Sequence, residues 1–596
     1  MARQLVMGNE AIALGAIRAG VNLVSGYPGT PSTEVLETVA KQNPGDIYVE
    51  WSVNEKAALE VAAGAAYTGA RAMVTMKQVG LNVASDPLMS LAYIGVKGGM
   101  VILVADDPGP ISSQTEQDTR HFAKYANLPV FDPTTPEEAY EMIGEAFDVS
   151  ETYQIPVILR PTTRICHGCA TVDIQEGRRT QRREGFIKNP KWAIFPKLSY
   201  QNHLKIEDLT KELSGVFSTY RRNAVEGTGD KVIVASGVSY TYAKEALTLL
   251  QASCRFVKLT TANPFPKDFA RAFLQGASQV LVLEELDPVI EEELTRLCGE
   301  DHLPLTIYGK HTGHAPYAGE YSTEILLDII GSYLSVPSVK PETPPLPALP
   351  VRPPVLCAGC PHRASFYAVK QAMKGRDAVF TGDIGCYTPG NAKPLDMVDT
   401  CLCMGAGITI AQGLSRMEPD KKQIAFIGDS TFFHTGIVGI INAAYNETDI
   451  TVVILDNSTT AMTGHQPHPG TGRTMMGEIS EKIDIEALVK ACGVKCVKTA
   501  DPLNLKEAVA AVTEAVAFPS VSAVIFRSPC ISLFKPAVRM EIHDSCINCK
   551  KCIREIGCPA IMTENGRVHI EPSLCYGCGL CSQVCPVHAI SGGETK

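Results

Sequence analysis

The chain has 596 residues, 45% of them hydrophobic, a mean hydropathy of +0.04, and 54 basic against 64 acidic side chains for a net charge of −10. That length calls for about four domains, and the negative balance excludes a nucleic-acid surface as the main business of the molecule. No apolar run reaches the roughly eighteen residues of a membrane span: the best stretch, Ile94 to Val104, is interrupted by Lys97 and followed by Asp106.

The opening MARQLVMGNEAIALGAIRAG lacks the basic and apolar regions of a secretion signal, and Glu10 interrupts it. The expected setting is therefore a soluble, cytoplasmic protein with reduced thiols. In chain order, AMVTM, MVILVADD and IPVILRP are predicted as buried strands and NEKAALEVAAGAAYTGA as a helix, which is α/β grammar. After a basic, polar stretch at Gly177 to Glu184, a second unit is expected from about residue 191, with strands DKVIVASG and QVLVLEEL around the helix YTYAKEALTLLQ. Residues 337–354, PSVKPETPPLPALPVRPP, hold eight prolines in eighteen positions and read as an extended linker. Beyond it come the strands AVFTGDIG, QIAFIGDS, ITVVILDN and VSAVIFRS, and from about residue 540 a cysteine-rich tail.

The tail holds eight of the twenty cysteines in two matched runs: Cys546, Cys549, Cys552, Cys558-Pro559 and Cys575, Cys578, Cys581, Cys585-Pro586. A C-x2-C-x2-C turn wraps three thiolates around one iron–sulfur cube, and the following Cys-Pro serves the neighbouring cube. The crossed assignment is Cys546, Cys549, Cys552 and Cys585 for one [4Fe–4S] cluster, and Cys575, Cys578, Cys581 and Cys558 for the other. Disulfides do not suit a reducing compartment, and structural zinc uses two pairs rather than runs of three. The first run spaces its last two cysteines by five residues, Ile553 to Gly557, instead of three, so its loop should bulge.

A second constellation lies at two strand ends, Gly428-Asp429-Ser430 and Asp456-Asn457-Ser458. In a parallel β-α-β unit, ligands collect beyond the carboxyl ends of strands, so Asp429 and Asn457 can converge there. A carboxylate, an amide oxygen and the backbone carbonyl of Thr459 would give hard oxygen ligands for a magnesium ion shared with a diphosphate. Gly428 would permit close backbone approach. By itself Gly-Asp-Ser is as common in turns, and Glu55 by itself is a first-turn glutamate favoured by the helix dipole.

Several segments together carry a resemblance: MGNEAIALGAI, SGYPGTPS, SSQTEQDTR, LCAGCPHR, GDIGCYTPG, IGDSTFFHTG and the cysteine tail. Over essentially the whole chain these resemble the thiamine-diphosphate-dependent 2-oxoacid:ferredoxin oxidoreductases, specifically the α subunits of the indolepyruvate type. Ser430 stands where the thiamine pattern Gly-Asp-Gly has its last glycine. The resemblance implies two thiamine-diphosphate-binding-type parallel-sheet domains, pyrimidine-type at 1–190 and diphosphate-type at 355–539. Between them it places a middle α/β domain at 191–336, like the transketolase C-terminal domain, with a two-cluster ferredoxin-like α+β domain at 540–596. It makes Glu55 the carboxylate on the aminopyrimidine ring, puts Thr30 of a Tyr-Pro-x-Thr-Pro loop and His434 at the reaction centre, and assigns Gly428, Asp429, Ser430, Asn457 and Thr459 to the cofactor. It also implies a third [4Fe–4S] cluster on Cys357, Cys360, Cys386 and Cys530. Cys166 and Cys169 form another C-x2-C without a second pair, and with Cys401, Cys403, Cys492 and Cys496 they read as structural or free thiols.

The implied reaction is oxidative decarboxylation of an aryl 2-oxo acid with coenzyme A to an arylacetyl-CoA, the clusters passing electrons singly to ferredoxin. The family's γ-type domain is missing from this chain, which implies a separate β subunit and an α2β2 assembly. No nucleic acid or membrane is implied. Pyruvate or another 2-oxo acid as substrate, an electron-transfer subunit with no chemistry of its own, and a non-redox thiamine enzyme are the competing readings. The cysteine tail opposes the last, and Asp429 with Asn457 opposes the one before it.

Overall fold

The computed structural model describes residues 2–177, 184–337, 347–535 and 538–593. Most of the basic stretch and half of the proline-rich linker expected from the sequence lie outside them; residues 347–354 carry no helix or strand. The chain divides into two compact units, 1–346 and 347–596.

The first unit opens with eight strands: β1 Ala2–Met7, β2 Leu23–Gly26, β3 Tyr48–Trp51, β4 Ala72–Lys77, β5 Met100–Ala105, β6 Val130–Phe131, β7 Val157–Leu159 and β8 Cys169–Ile174. Six make an all-parallel sheet in the order β3-β2-β4-β5-β7-β6, while β1 and β8 pair antiparallel as a separate ribbon. β4 and β5 are buried almost throughout, as continuous apolar runs should be when helices cover both faces of a parallel sheet. The helix Glu55–Ala66 starts at Asn54, whose side chain accepts the Ala57 amide, and packs its alanine-rich face on β2 and β4. A second sheet follows: β9 Ala224–Glu226, β10 Lys231–Ala235, β11 Arg255–Lys258, β12 Gln279–Leu283 and β13 Thr306–Tyr308, ordered β13-β12-β10-β11-β9, with β9 antiparallel to β11 and the other pairs parallel. The helix Pro196–Ser218 precedes it and packs on helices of both sheets, Ser85–Ile94 and Lys267–Leu274.

In the second unit, β14 Ala378–Thr381, β15 Lys422–Gly428, β16 Thr451–Asp456, β17 Cys496–Ala500 and β18 Ser522–Arg527 form a parallel sheet in the order β14-β15-β16-β18-β17. The cysteine tail is bounded by β19 Arg539–Ile542 and β22 Ile590–Gly593, which pair antiparallel and clasp its two ends; β20 Ile561–Glu564 and β21 Arg567–Ile570 form a hairpin inside. The five-residue gap in the first cysteine run is taken up by a π-helical turn, Cys552–Ile556, ended by Gly557 at φ +59°.

The tail is not a loose appendage. One apolar core runs from Phe366 and Met397 to Cys552, Ile556, Leu580 and Ile590. Arg363 ties the two parts through backbone carbonyls, donating to Ile556 and Gly557 of the tail at 2.9 Å and to Leu356 at 2.6 Å on its own side. Gly359, in the Cys357–Cys360 turn, sits so close to Tyr576 that a Cβ there would meet the tyrosine Cβ at 2.5 Å. Among the described residues no helix is long and apolar enough to cross a membrane.

Candidate thiamine and iron–sulfur site

Four adjacent parallel strands of the second unit deliver the residues of interest just beyond their carboxyl ends. β14 leads to Asp383 and Cys386, β15 to Asp429, β16 to Asn457, and β18 to Cys530. This is the crevice in which a sheet of this kind binds its ligand.

Asp429 opens a helical segment that passes through a π-helical turn, Phe432–Gly436, a local irregularity common at functional sites. Its carboxylate is buried and fixed: Oδ2 accepts from the backbone N–H of Asn457 at 3.1 Å and of Ser458 at 2.8 Å, and lies 3.1 Å from His468 Nε2. Asn457 Oδ1 accepts the Thr459 amide at 3.2 Å, and Ser430 Oγ accepts from Thr460 Oγ1 at 2.9 Å. Asp429, Asn457 and Thr459 thus lie on one hydrogen-bonded pair of loops and offer a carboxylate, an amide oxygen and a carbonyl, the oxygen donors magnesium takes. The residues present fit a diphosphate-bound magnesium ion.

Gly428 makes room for a tyrosine. A Cβ there would fall 2.6 Å from the Tyr387 ring, and the tyrosine hydroxyl accepts the Gly428 amide at 2.8 Å while donating to Asp383 Oδ2 at 2.9 Å. Burial pushes the Asp383 carboxyl up to about 6 against the hydrogen bonds and the His434 charge that favour ionisation. His434 itself is buried in the π-helical turn.

His362 was not singled out by sequence and is the hinge of the site. It is buried, with Asn457 Nδ2 3.4 Å from its Nε2 and Cys386 Sγ 3.8 Å from its Nδ1. Since Asn457 Oδ1 faces the Thr459 amide, the Nδ2 donor faces the ring, so Nε2 accepts and the proton sits on Nδ1, toward the sulfur. Burial holds the imidazole down at about 4, against the attraction of Asp429. The signal in the sequence was its place two residues after the C-x2-C of CAGCPHR.

Cys360 caps the helix Pro361–Ala372, and its thiol is driven up to about 12 by burial, with Cys357 and Cys530 adding to the shift. Cys386 is raised by burial and then by Cys360 and Cys530, so the four thiols lie within electrostatic reach of one another. In the tail, Cys558, Cys575, Cys578 and Cys581 line a single pocket. Cys581 is pushed up to about 12 by burial and then by the other three. Backbone amides of Met540 and Gly577 point at Cys575 Sγ, each at 3.4 Å, the kind of contact that sets cluster potentials. In the first run, burial raises Cys552, with smaller contributions from Cys549 and Cys546. Cys585 is buried, its sulfur accepting the Ala589 amide at 3.3 Å. Among the described residues no three His, Cys, Asp or Glu side chains come close enough to share one metal ion; an iron–sulfur cube holds its thiolates at four separate corners.

Glu55 and Thr30 belong to the first unit. Glu55 is the first residue of its helix, buried beyond the end of β3, and Gly80 leaves it room, since a Cβ there would meet Glu55 Oε1 at 2.5 Å. Thr30 is half-buried in the turn after β2, where Ser32 donates backbone and side-chain hydrogen bonds to the Gly29 carbonyl. The free pair of the CHGC motif is split, Cys166 buried and Cys169 exposed.

Comparison with known proteins matches three stretches of the chain. Residues 14–205 match the family "Pyruvate flavodoxin/ferredoxin oxidoreductase, thiamine diP-bdg", 383–526 match "Thiamine pyrophosphate enzyme, C-terminal TPP binding domain", and 568–591 match "4Fe-4S binding domain". The indolepyruvate oxidoreductase subunit IorA of Methanothermobacter thermautotrophicus is 43% identical over 98% of this chain and 96% of its own. The chain belongs to the IorA family. The IorA of Archaeoglobus fulgidus is 41% identical over 99% of this chain and 98% of its own. A solved 2-oxoglutarate:ferredoxin oxidoreductase from Magnetococcus marinus aligns with a TM-score of 0.44 and 18% identity, over 56% of this chain and 65% of that one. As an IorA-family member the chain is a thiamine-diphosphate-dependent oxidoreductase of 2-oxo acids that works with ferredoxin and carries a 4Fe–4S domain.

Proposed function

We propose that the chain is the catalytic α subunit of an enzyme that oxidatively decarboxylates indolepyruvate and similar arylpyruvates with coenzyme A, giving arylacetyl-CoA and carbon dioxide and reducing ferredoxin. A separate β subunit supplies the domain this chain lacks, in an α2β2 cytoplasmic assembly. The domains divide at residues 190, 336, 354 and 539. The observation that carries the reading is the adjacency of the two chemistries: Asn457, beside Asp429, contacts His362, and His362 contacts Cys386. A site for the carbon chemistry and a site for an electron acceptor share one side chain.

Bound thiamine diphosphate supplies the carbanion chemistry that breaks the bond to the carboxylate. Asp429, Asn457 and Thr459 would hold its magnesium, and the Glu55 carboxyl would hydrogen-bond the ring nitrogen of the aminopyrimidine and favour its imino tautomer. Thr30 and His434 face the substrate. Cys357, Cys360, Cys386 and Cys530 would hold a third [4Fe–4S] cluster beside the thiamine site, able to supply one-electron oxidation. Cys546, Cys549, Cys552 and Cys585, and Cys575, Cys578, Cys581 and Cys558, would hold two tail clusters, which would supply one-electron transfer toward ferredoxin.

The test is reduction of ferredoxin or a viologen by the reconstituted two-subunit enzyme, given coenzyme A and a panel of indolepyruvate, phenylpyruvate, hydroxyphenylpyruvate and pyruvate. Aryl substrates should win by kcat/KM. Equal rates without coenzyme A would remove the acyl-CoA product, and a preference for pyruvate would remove the aryl assignment.

A further inference from the structure

Lys77 is the last residue of β4, half-buried, at the same sheet edge from which Thr30 and Glu55 project after β2 and β3. Its stem lies over Gly29: a Cβ on that glycine would meet Lys77 Cδ at 3.1 Å and Cγ at 3.2 Å. The lysine therefore runs alongside the backbone of the residue next to Thr30. Its ammonium donates to the Ser112 carbonyl at 3.0 Å and, among the described residues, has no ion-pair partner. The nearest acids are otherwise placed. Asp107 attracts Lys77, but its own oxygens accept from the Ser112 amide at 2.8 Å and the Thr163 hydroxyl at 2.5 Å. Glu55 attracts it also, from its station at the helix start. Burial lowers the lysine's affinity for its proton against both.

An ammonium has three donors, and one is used here. A partly desolvated cation with two free donors, beside the two residues assigned to the reaction centre, is an unfilled anion receptor. Aryl rings carry no charge, so the group common to every 2-oxo acid that such a cation can hold is the carboxylate on the ketone.

We propose that Lys77 is the residue that binds the substrate's 1-carboxylate. This rests on the function proposed above and adds the recognition element the sequence did not supply. The assignment accounts for release as well as binding. When the bond between carboxylate and keto carbon breaks, the electron pair stays with the former keto carbon and carbon dioxide leaves neutral, with no charge for Lys77 to retain. Lys77 neither forms a bond nor accepts a proton in that step.

The experiment compares wild type, Lys77→Met and Lys77→Arg in the reconstituted holoenzyme. Its readouts are KM and kcat for indolepyruvate, competitive inhibition by the unreactive carboxylate indole-3-propionate and by its neutral amide, and thiamine diphosphate affinity of the cofactor-free protein. Loss of one charged hydrogen-bond donor predicts that Lys77→Met raises both KM and the inhibition constant of the carboxylate about 30-fold. The amide's inhibition constant, kcat and thiamine affinity should each change less than about 3-fold on the same scale. Lys77→Arg should restore most of the carboxylate affinity. An unchanged carboxylate-to-amide ratio in Lys77→Met overturns the assignment while leaving the proposed function intact. A wild-type enzyme that oxidises no 2-oxo acid of the panel overturns both.

Discussion

At the strand ends of the first unit, four buried acids share two arginines. Arg160 lies 2.7 Å from Asp106 and 3.3 Å from Asp132, and Arg120 lies 2.6 Å from Asp118 and 2.7 Å from Glu284, which follows β12 of the second sheet. Burial works against ionisation of Asp118, but Arg120 and Arg160 outweigh it and hold the carboxyl below the usual range. At the strand ends of the second unit, Asp383 and Asp429 are equally buried but, among the described residues, have no arginine or lysine partner. Compensated charge clamps one sheet to the next; uncompensated charge waits for a ligand.

The largest effect should come from the uncompensated side. Asp429→Ala should abolish thiamine diphosphate retention and substrate-driven viologen reduction, with the electron paramagnetic resonance of the tail clusters unchanged; residual turnover above background would put the magnesium elsewhere. Cys360→Ser should lower iron from about twelve to about eight per chain in anaerobically prepared protein. An unchanged iron count would remove the third cluster. On the compensated side, Arg120→Met leaves Glu284 buried without its cation and Asp118 with Arg160 alone, and should cost about 3–5 kcal/mol in denaturant unfolding. A cost below about 1 kcal/mol would make the network an ornament of the fold rather than its clamp.

The pH dependence of stability separates two groups at the crevice. Asp383, raised to about 6 in the folded protein, contributes stability that is present below its unfolded value and lost as pH rises through about 6. His362, lowered to about 4, contributes stability that is present above its unfolded value and lost as pH falls through about 4. The two slopes oppose each other in mildly acid solution. Asp383→Asn should therefore steepen the acid loss of Tm in the cofactor-free protein, and His362→Asn should flatten it. The smallest effect is expected at the cap of the Glu55 helix, where Asn54→Ala should cost about 1 kcal/mol in the same unfolding measurement.

The sequence made the long apolar strands legible, because β4, β5, β10, β12, β15, β16 and β18 are buried on both faces and so read as continuous runs. It hid β6, which is only two residues long. The pairing of Arg120 with Glu284 spans 164 residues and leaves no local pattern. The same holds for His362 and Asn457, 95 residues apart, and for His468 and Asp429, 39 apart. The convergence of Asp429 with Asn457 and the two runs of tail cysteines could be read because spacing within a single segment encodes them; Cys357, Cys360, Cys386 and Cys530 came from the family resemblance. The groups that orient them come from other strands and are visible only once the sheet order is known.

The clasp of β19 on β22 and the carbonyl ties of Arg363 fix the tail against the sheet that carries Cys357 and Cys386. On the function proposed above, electron passage inside the subunit is tunnelling over a set distance, with no encounter step, and added salt should leave it unaltered. Hand-off to a separate carrier protein is a diffusional event between charged surfaces and weakens as the Debye length shrinks. Ionic strength then acts on this molecule as a valve at its outlet alone, letting the internal clusters fill while the carrier goes without.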